Sequence, residues 1–141
     1  MKKVMFTLSL LVAAMFSFNS FAQDTDAGSG AIITIDKEIH DYGTIEQGAD
    51  KGCTFTVTNT GTAPLIISFC KGSCGCTVPL CPKEAIAPGA SATITVEYDT
   101  NRVGPINKSV TITSNADNEP QKIIRIKGNV KAKPTTPSLA D

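Results

Sequence analysis

The sequence predicts an all-β protein, and three observations carry that expectation. Apolar and polar residues alternate with a period of two through most of residues 31–131, the spacing that turns one face of a strand inward and the other to water. Clusters of Gly, Pro, Asn and Asp interrupt the alternation at short intervals, where turns are needed. No apolar stripe at helical spacing is sustained, which excludes a βαβ architecture. Together these predict a single immunoglobulin-like antiparallel β-sandwich of about seven strands.

The elements follow in order. Ala31 to Ile35 and Ile39 to Ile45 read as one or two opening strands around Asp36-Lys37. Cys53, Phe55 and Val57 point one way while Thr54, Thr56 and Thr58 point the other, and Asn59-Thr60-Gly61 turns the chain. Leu65 to Cys70 is almost continuously apolar, which suits a strand covered on both faces. Pro88-Gly89 marks a turn, after which Ala92, Ile94, Val96 and Tyr98 alternate with Thr93, Thr95 and Glu97, placing Tyr98 in the core. Val110 and Ile112 lie between the breaks "NRVGPIN" and "SNADNEP". In the last strand Ile124, Ile126 and Val130 turn inward. The basic residues of "KIIRIKGNVKAK" read as a solvated, protected sheet edge. Gly43, Gly48, Gly61, Gly89 and Gly104 fall where turns call for positive φ. Trp is absent and no widely spaced cysteine pair flanks one, so the inter-sheet bridge of antibody domains is not expected.

The two ends differ in character from this middle. Met1-Lys2-Lys3 is basic, Val4 to Phe18 is apolar apart from Thr7, Ser9 and Ser17, and Ser20 and Ala22 are small. That pattern predicts a signal peptide over residues 1–22, cut between Ala22 and Gln23; the apolar run is too short to span a bilayer. Residues 23–31 read as a flexible leader and residues 132–141, with two prolines, as a disordered tail. Residues 32–131 then form the one domain. Cleavage would leave 11 basic against 13 acidic side chains, and dispersed ones, which argues against a nucleic-acid partner. The expected location is periplasmic or extracellular, with no membrane span in the mature chain.

Four of the five cysteines crowd into "CKGSCGCTVPLC", residues 70–81. In an oxidising compartment, disulfides among Cys70, Cys74, Cys76 and Cys81 are the leading expectation. Three complete pairings are open. Alternate residues on an extended strand lie about 6.6 Å apart, at the outer limit for a bridge. A Cys74–Cys76 bond therefore needs a sharp fold at Gly75 and would be easily reduced; Cys70–Cys74 with Cys76–Cys81 is the less strained arrangement. Cys53 is left over, on an inward face, as a small buried hydrophobe.

The alternatives are a soft metal site for Cu(I) or Zn²⁺ built from the same four thiols, or a redox-active Cys-Gly-Cys. Against metal stand the spacing, unlike that of structural zinc sites, and the loss of Met1, Met5 and Met15 with the leader. Against redox and nucleophilic chemistry stand the lack of Cys-x-x-Cys at a helix start and of a histidine near the cluster. The single histidine, His40, sits in "EIHDYG" on an opening strand and is not expected to act as a base.

Several segments occur in one order: "HDYGTIEQG" (40–48), "VTNTGTAPLII" (57–67), "SCGCTVP" (73–79), "IAPG" (86–89), "VEYDTNRVGPINKSVTITSNA" (96–116) and "IRIKGNV" (124–130). They resemble the secreted bacterial family known as domain of unknown function 1573, frequent in Bacteroidota, over about residues 32–131. The resemblance implies an immunoglobulin-like sandwich related to hydin-type and PapD-like domains, and carries over Cys74-Gly75-Cys76-Thr77 as the family's signature. It implies no activity. Cys53, Cys70 and Cys81 depart from the family's pattern. The expectation is an exported, non-enzymatic binding or structural module with a disulfide-stapled cysteine loop, without a cofactor and with a protein partner.

Overall fold

A computed structural model describes residues 29–135. The expected signal peptide, its Ala22–Gln23 cleavage point and residues 136–141 lie outside the described residues. Eight strands are present: β1 Ile33–Ile35, β2 Ile39–Glu46, β3 Gly52–Asn59, β4 Ile67–Gly72, β5 Thr77–Leu80, β6 Ser91–Tyr98, β7 Gly104–Ser114 and β8 Gln121–Lys131. They form two four-stranded sheets, ordered β1-β3-β6-β5 and β2-β8-β7-β4. Among the described residues no helix occurs, so none is available to cross a membrane.

The core is built by the alternation that the sequence displays. From one sheet come Phe55, Val57, Ile94, Val96 and Tyr98; from the other come Ile106, Val110, Ile112, Ile124, Ile126 and Val130. Phe55, Ile94, Ile112 and Ile124 have no exposed surface, and each such side chain stabilises the fold by about 1.5–3 kcal/mol through the water it sheds. Cys53 lies in this layer, a free thiol 5% exposed.

Four expectations are corrected. The strands number eight rather than about seven: β1 and β2 are separate strands in different sheets, and β5 forms inside the cysteine loop, where no strand was expected. The fold is also not wholly antiparallel: β2 runs parallel to β8. The short Asp36–Glu38 crossing between sheets gives the chain no room to reverse. Asp36 ends β1 by donating its N–H to the Thr56 carbonyl at 3.0 Å and accepting the Thr56 N–H on its side chain at 2.8 Å. The third correction concerns β4, which is the outermost strand of its sheet. A bulge between Ile67 and Phe69 breaks its alternation, so Ile66 and Phe69 are 50% and 59% exposed and the segment is not covered on both faces. Fourth, β8 is an interior strand and no edge at all. Its Lys127 meets Asp41 of β2 at 3.2 Å, and its Lys122 is buried between Glu38 and Glu119, both at 2.6 Å.

Residues 29–31, within the stretch read as a leader, are held by the loop after β7. The Ser29 and Gly30 N–H groups donate to the two Asp117 carboxylate oxygens at 2.6 Å each, the Asp117 N–H donates to the Ala31 carbonyl, and Ala31 is fully buried. Those donors hold the Asp117 carboxyl below its ordinary range. Residues 132–135 are exposed and have no regular structure.

Candidate functional site

The cysteine loop joins β4 to β5, the outermost strands of the two sheets, on one side of the sandwich. Ser73 opens it: its N–H donates to the Ser109 carbonyl at 2.8 Å, and its hydroxyl accepts the Ser109 N–H at 3.2 Å. Cys74-Gly75-Cys76-Thr77 then forms a turn closed by the Thr77 N–H on the Cys74 carbonyl at 3.2 Å. The Asp99 N–H, just beyond β6, fixes the Cys76 carbonyl at 2.9 Å. Gly72 lies so close to β5 that a Cβ there would run into the Thr77 carbonyl oxygen.

All four loop cysteines are disulfide-bonded, as Cys70–Cys81 and Cys74–Cys76. This replaces the pairing Cys70–Cys74 with Cys76–Cys81 that the sequence favours. The cause is the crossing of the loop between sheets. Cys70 on β4 and Cys81 just past β5 are brought to a Cα separation of 6.4 Å, while the turn shortens Cys74–Cys76 to 5.2 Å, below the extended spacing of about 6.6 Å. Gly75 has no positive φ, and a Cβ on it would meet nothing, so the turn does not depend on that glycine. Gly61, read as a positive-φ turn residue, is instead needed for close approach, since a Cβ there would strike the Gly30 carbonyl.

The two bridges differ in what they stabilise. Cys70–Cys81 spans eleven positions and links two sheets, and loop-closure entropy assigns it about 3 kcal/mol. Cys74–Cys76 spans two positions, for which the same relation gives about 1 kcal/mol. Cys76 is 6% exposed and Cys74 half-buried. The Thr77 hydroxyl lies 3.6 Å from Cys74 Sγ and 3.8 Å from Cys76 Sγ. Sulfurs in a disulfide carry no proton, so Thr77 is the donor.

The remaining candidates lie elsewhere. His40 is on β2, at the opposite edge of its sheet from β4, edge-on to Tyr42 at 4.7 Å between ring centroids. Burial, with Lys37 adding to it, pushes its pKa down. Burial pushes the Cys53 thiol up, against the smaller opposing effect of Tyr42, which leaves it protonated and inert at neutral pH. Among the described residues no group of three or more His, Cys, Asp and Glu side chains converges to hold a metal. Any thiol site for Cu(I) or Zn²⁺ first requires Cys70–Cys81 and Cys74–Cys76 to be reduced.

Two shallow clefts flank the loop. One, of about 220 Å³, lies between Ile67–Cys70 and Cys81–Lys83. The other, of about 240 Å³, has Lys51, Gly75, Cys76, Val78, Glu97 and Asp99 among its lining residues. In it Lys51 Nζ pairs with Glu97 at 2.8 Å.

Sequence reasoning missed Asn59, taken only as a turn residue. It is fully buried, donates to the Ala63 and Ile86 carbonyls at 2.7 and 2.9 Å, and accepts the Ile32 and Gly61 N–H groups. It also missed Thr77, whose one signal was its place after the Cys-Gly-Cys.

An all-β domain of two four-stranded sheets, with two bridges at one seam, is what these features define. The sequence matches the family described as "Protein of unknown function (DUF1573)" over residues 33–130, and the chain belongs to that family. Its fold is similar to that of a protein of unknown function from Porphyromonas gingivalis (TM-score 0.65, 17% identity), with 75% of this chain and 51% of that one covered. The chain thus spans about half the length of that protein. It is also similar to the ASH/PapD-like domain of human CEP192 (TM-score 0.59, 12% identity, 93% and 100% covered). The CupB2 chaperone of Pseudomonas aeruginosa is a further likeness (TM-score 0.51, 10% identity, 69% and 55% covered). Comparison with curated protein sequences finds no match.

Proposed function

We propose that the chain is an exported, non-enzymatic module, resident in the periplasm or outside the cell, that engages a protein partner along the seam of β4 and β5. The observation that carries this reading is the exposure of Phe69 and Leu80, at 59% and 56%, on the outermost strands of the two sheets. Val78 on β5 and Ile66 just before β4 are about half exposed as well. Large apolar side chains grouped on paired edges suit a protein surface, and the free backbone edge of β4 can accept a strand. Pro79 and Lys71 blunt indiscriminate pairing along the same edges. Export is supported by the leader pattern of residues 1–22 and by the two bridges, which suit an oxidising compartment.

The test is a photo-crosslinking amino acid placed at position 69 or 80 in the protein expressed in its own cell envelope. Discrete adducts at both positions, absent when the probe replaces Thr54 on the solvent face of β3, are expected, on a chain whose first residue is Gln23. Adducts equal at all three positions, or none, sink the partner reading; an uncut leader on a cytosolic chain sinks export.

A further inference from the structure

We infer that Cys74–Cys76 is a thiol–disulfide exchange site, with the Thr77 hydroxyl built in as the hydrogen-bond donor to the thiolates that form when the bond opens. This goes beyond the module reading and stands without it.

Donor and acceptor at this bridge are mismatched in hydrogen-bonding strength. Thr77 is 2% exposed, and a buried hydroxyl ordinarily finds a carbonyl or carboxylate oxygen. Here, among the described residues, the partners of its Oγ1 are Cys74 Sγ at 3.6 Å and Cys76 Sγ at 3.8 Å. Divalent sulfur is a weak acceptor, so in the oxidised form this donor is underused. A thiolate is a charged acceptor and takes such a bond about twice as strongly as a neutral one. The same hydroxyl touches both sulfurs, so it serves whichever is released.

The geometry supplies the remaining parts. The bridge spans only two positions, so little is lost from the fold when it opens. The carbonyls of Cys74 and Cys76 stay fixed by Thr77 N–H and Asp99 N–H, which holds the two sulfurs near each other for the return reaction. The neighbouring Cys70–Cys81 bridge keeps the strands in place meanwhile. Cys74 is the more exposed of the two residues, and the reaction with a thiol from solution is assigned to it.

The co-reactant is a protein or peptide dithiol. Its first thiolate attacks Cys74 Sγ; an S–S bond to Cys74 forms, the Cys74–Cys76 bond breaks, and Cys76 leaves as a thiolate that accepts from Thr77 and takes a proton from water. The second thiolate of the dithiol attacks its own sulfur in the mixed disulfide. Cys74 leaves as a thiolate beside the same hydroxyl and is protonated in turn. The dithiol is oxidised to a disulfide, and Cys74 and Cys76 gain its two electrons and two protons.

The test uses the oxidised mature chain, equilibrated in buffers of reduced and oxidised dithiothreitol, quenched with acid, alkylated and mapped by peptide mass. Cys74–Cys76 is expected to open at least tenfold more readily than Cys70–Cys81, about 30 mV for a two-electron couple. Thr77→Val is expected to slow its reaction with dithiothreitol about tenfold, the size of a lost hydrogen bond to a charged group, and Thr77→Ser to restore it, with melting unchanged between the two variants. In Cys76→Ser, the Cys74 thiol pKa, read from alkylation rate against pH, is expected to rise when Thr77→Val is added. Opening of both bridges together, or of Cys70–Cys81 first, overturns the proposal and needs no variant to fold. So does a Thr77→Val protein that folds and exchanges as fast as its parent.

Discussion

Gly72 precedes the Cys74–Thr77 turn and Gly75 lies within it, and the structure makes opposite demands on them. A methyl group at Gly72 would collide with the Thr77 carbonyl oxygen, whereas one at Gly75 would meet nothing and needs no unusual backbone angle. Gly72→Ala is therefore expected to destabilise by about 1–3 kcal/mol through strand displacement. Gly75→Ala should melt within about 0.5 kcal/mol of the parent, as unobstructed surface changes do. Chemical denaturation of both proteins, with Cys74–Cys76 verified by mass, checks the pair; equal losses refute the assignment. This contrast was invisible in the sequence, where Gly75 carries the motif and Gly72 looks incidental. Phe55 and Tyr98 were readable because period-two alternation reports burial directly. Close backbone approach leaves no such periodic trace, since it depends on which segment happens to lie opposite.

Among the elements, β3, β6, β7 and β8 could be read from their pattern, but β5 inside the cysteine loop was missed, the cover of β4 was misjudged, and the opening segment could not be resolved. The charged run Asp36-Lys37-Glu38 marks a break, but nothing in it announces that β1 and β2 join different sheets. What fixes β1 is distant in sequence: the loop after β7 grips Ser29 and Gly30 through Asp117, and Asn118 exchanges hydrogen bonds with the Ile33 backbone. Asp117→Asn removes the charge and one acceptor, and faster amide exchange at Gly30 than at Phe55 is the expected result. The folded pKa of Asp117 lies below its unfolded value, so its contribution is complete above the unfolded value of about 3.9. It is lost as pH falls through the depressed folded value. The protection of the Gly30 amide, its rate taken relative to the intrinsic rate at each pH, should fall in the parent between pH 5 and 2 and change less in the variant. A parallel response of both argues that Asp117 is not the group responsible.

At the scale of the whole molecule, Cys70–Cys81 is the bridge that matters for stability, because it joins strands from two sheets. Replacing both cysteines with Ser is expected to cost about 3 kcal/mol, whereas Cys74→Ser with Cys76→Ser should cost about 1 kcal/mol by the same relation. Urea midpoints of the two double variants decide the order, and a reversed order would show that the seam is held by something else. The sequence made a bridged loop legible but not its connectivity, which depends on the loop crossing between sheets. The other side of the domain is arranged differently. There β2, near the start of the described chain, lies parallel to β8, near its end, in a register running from Ile39 opposite Arg125 to Glu46 opposite Lys131. Tension pulling residues 29 and 135 apart thus acts along that ladder from opposite ends. The rungs must slide and rupture collectively instead of peeling singly, making this pair a mechanical clamp.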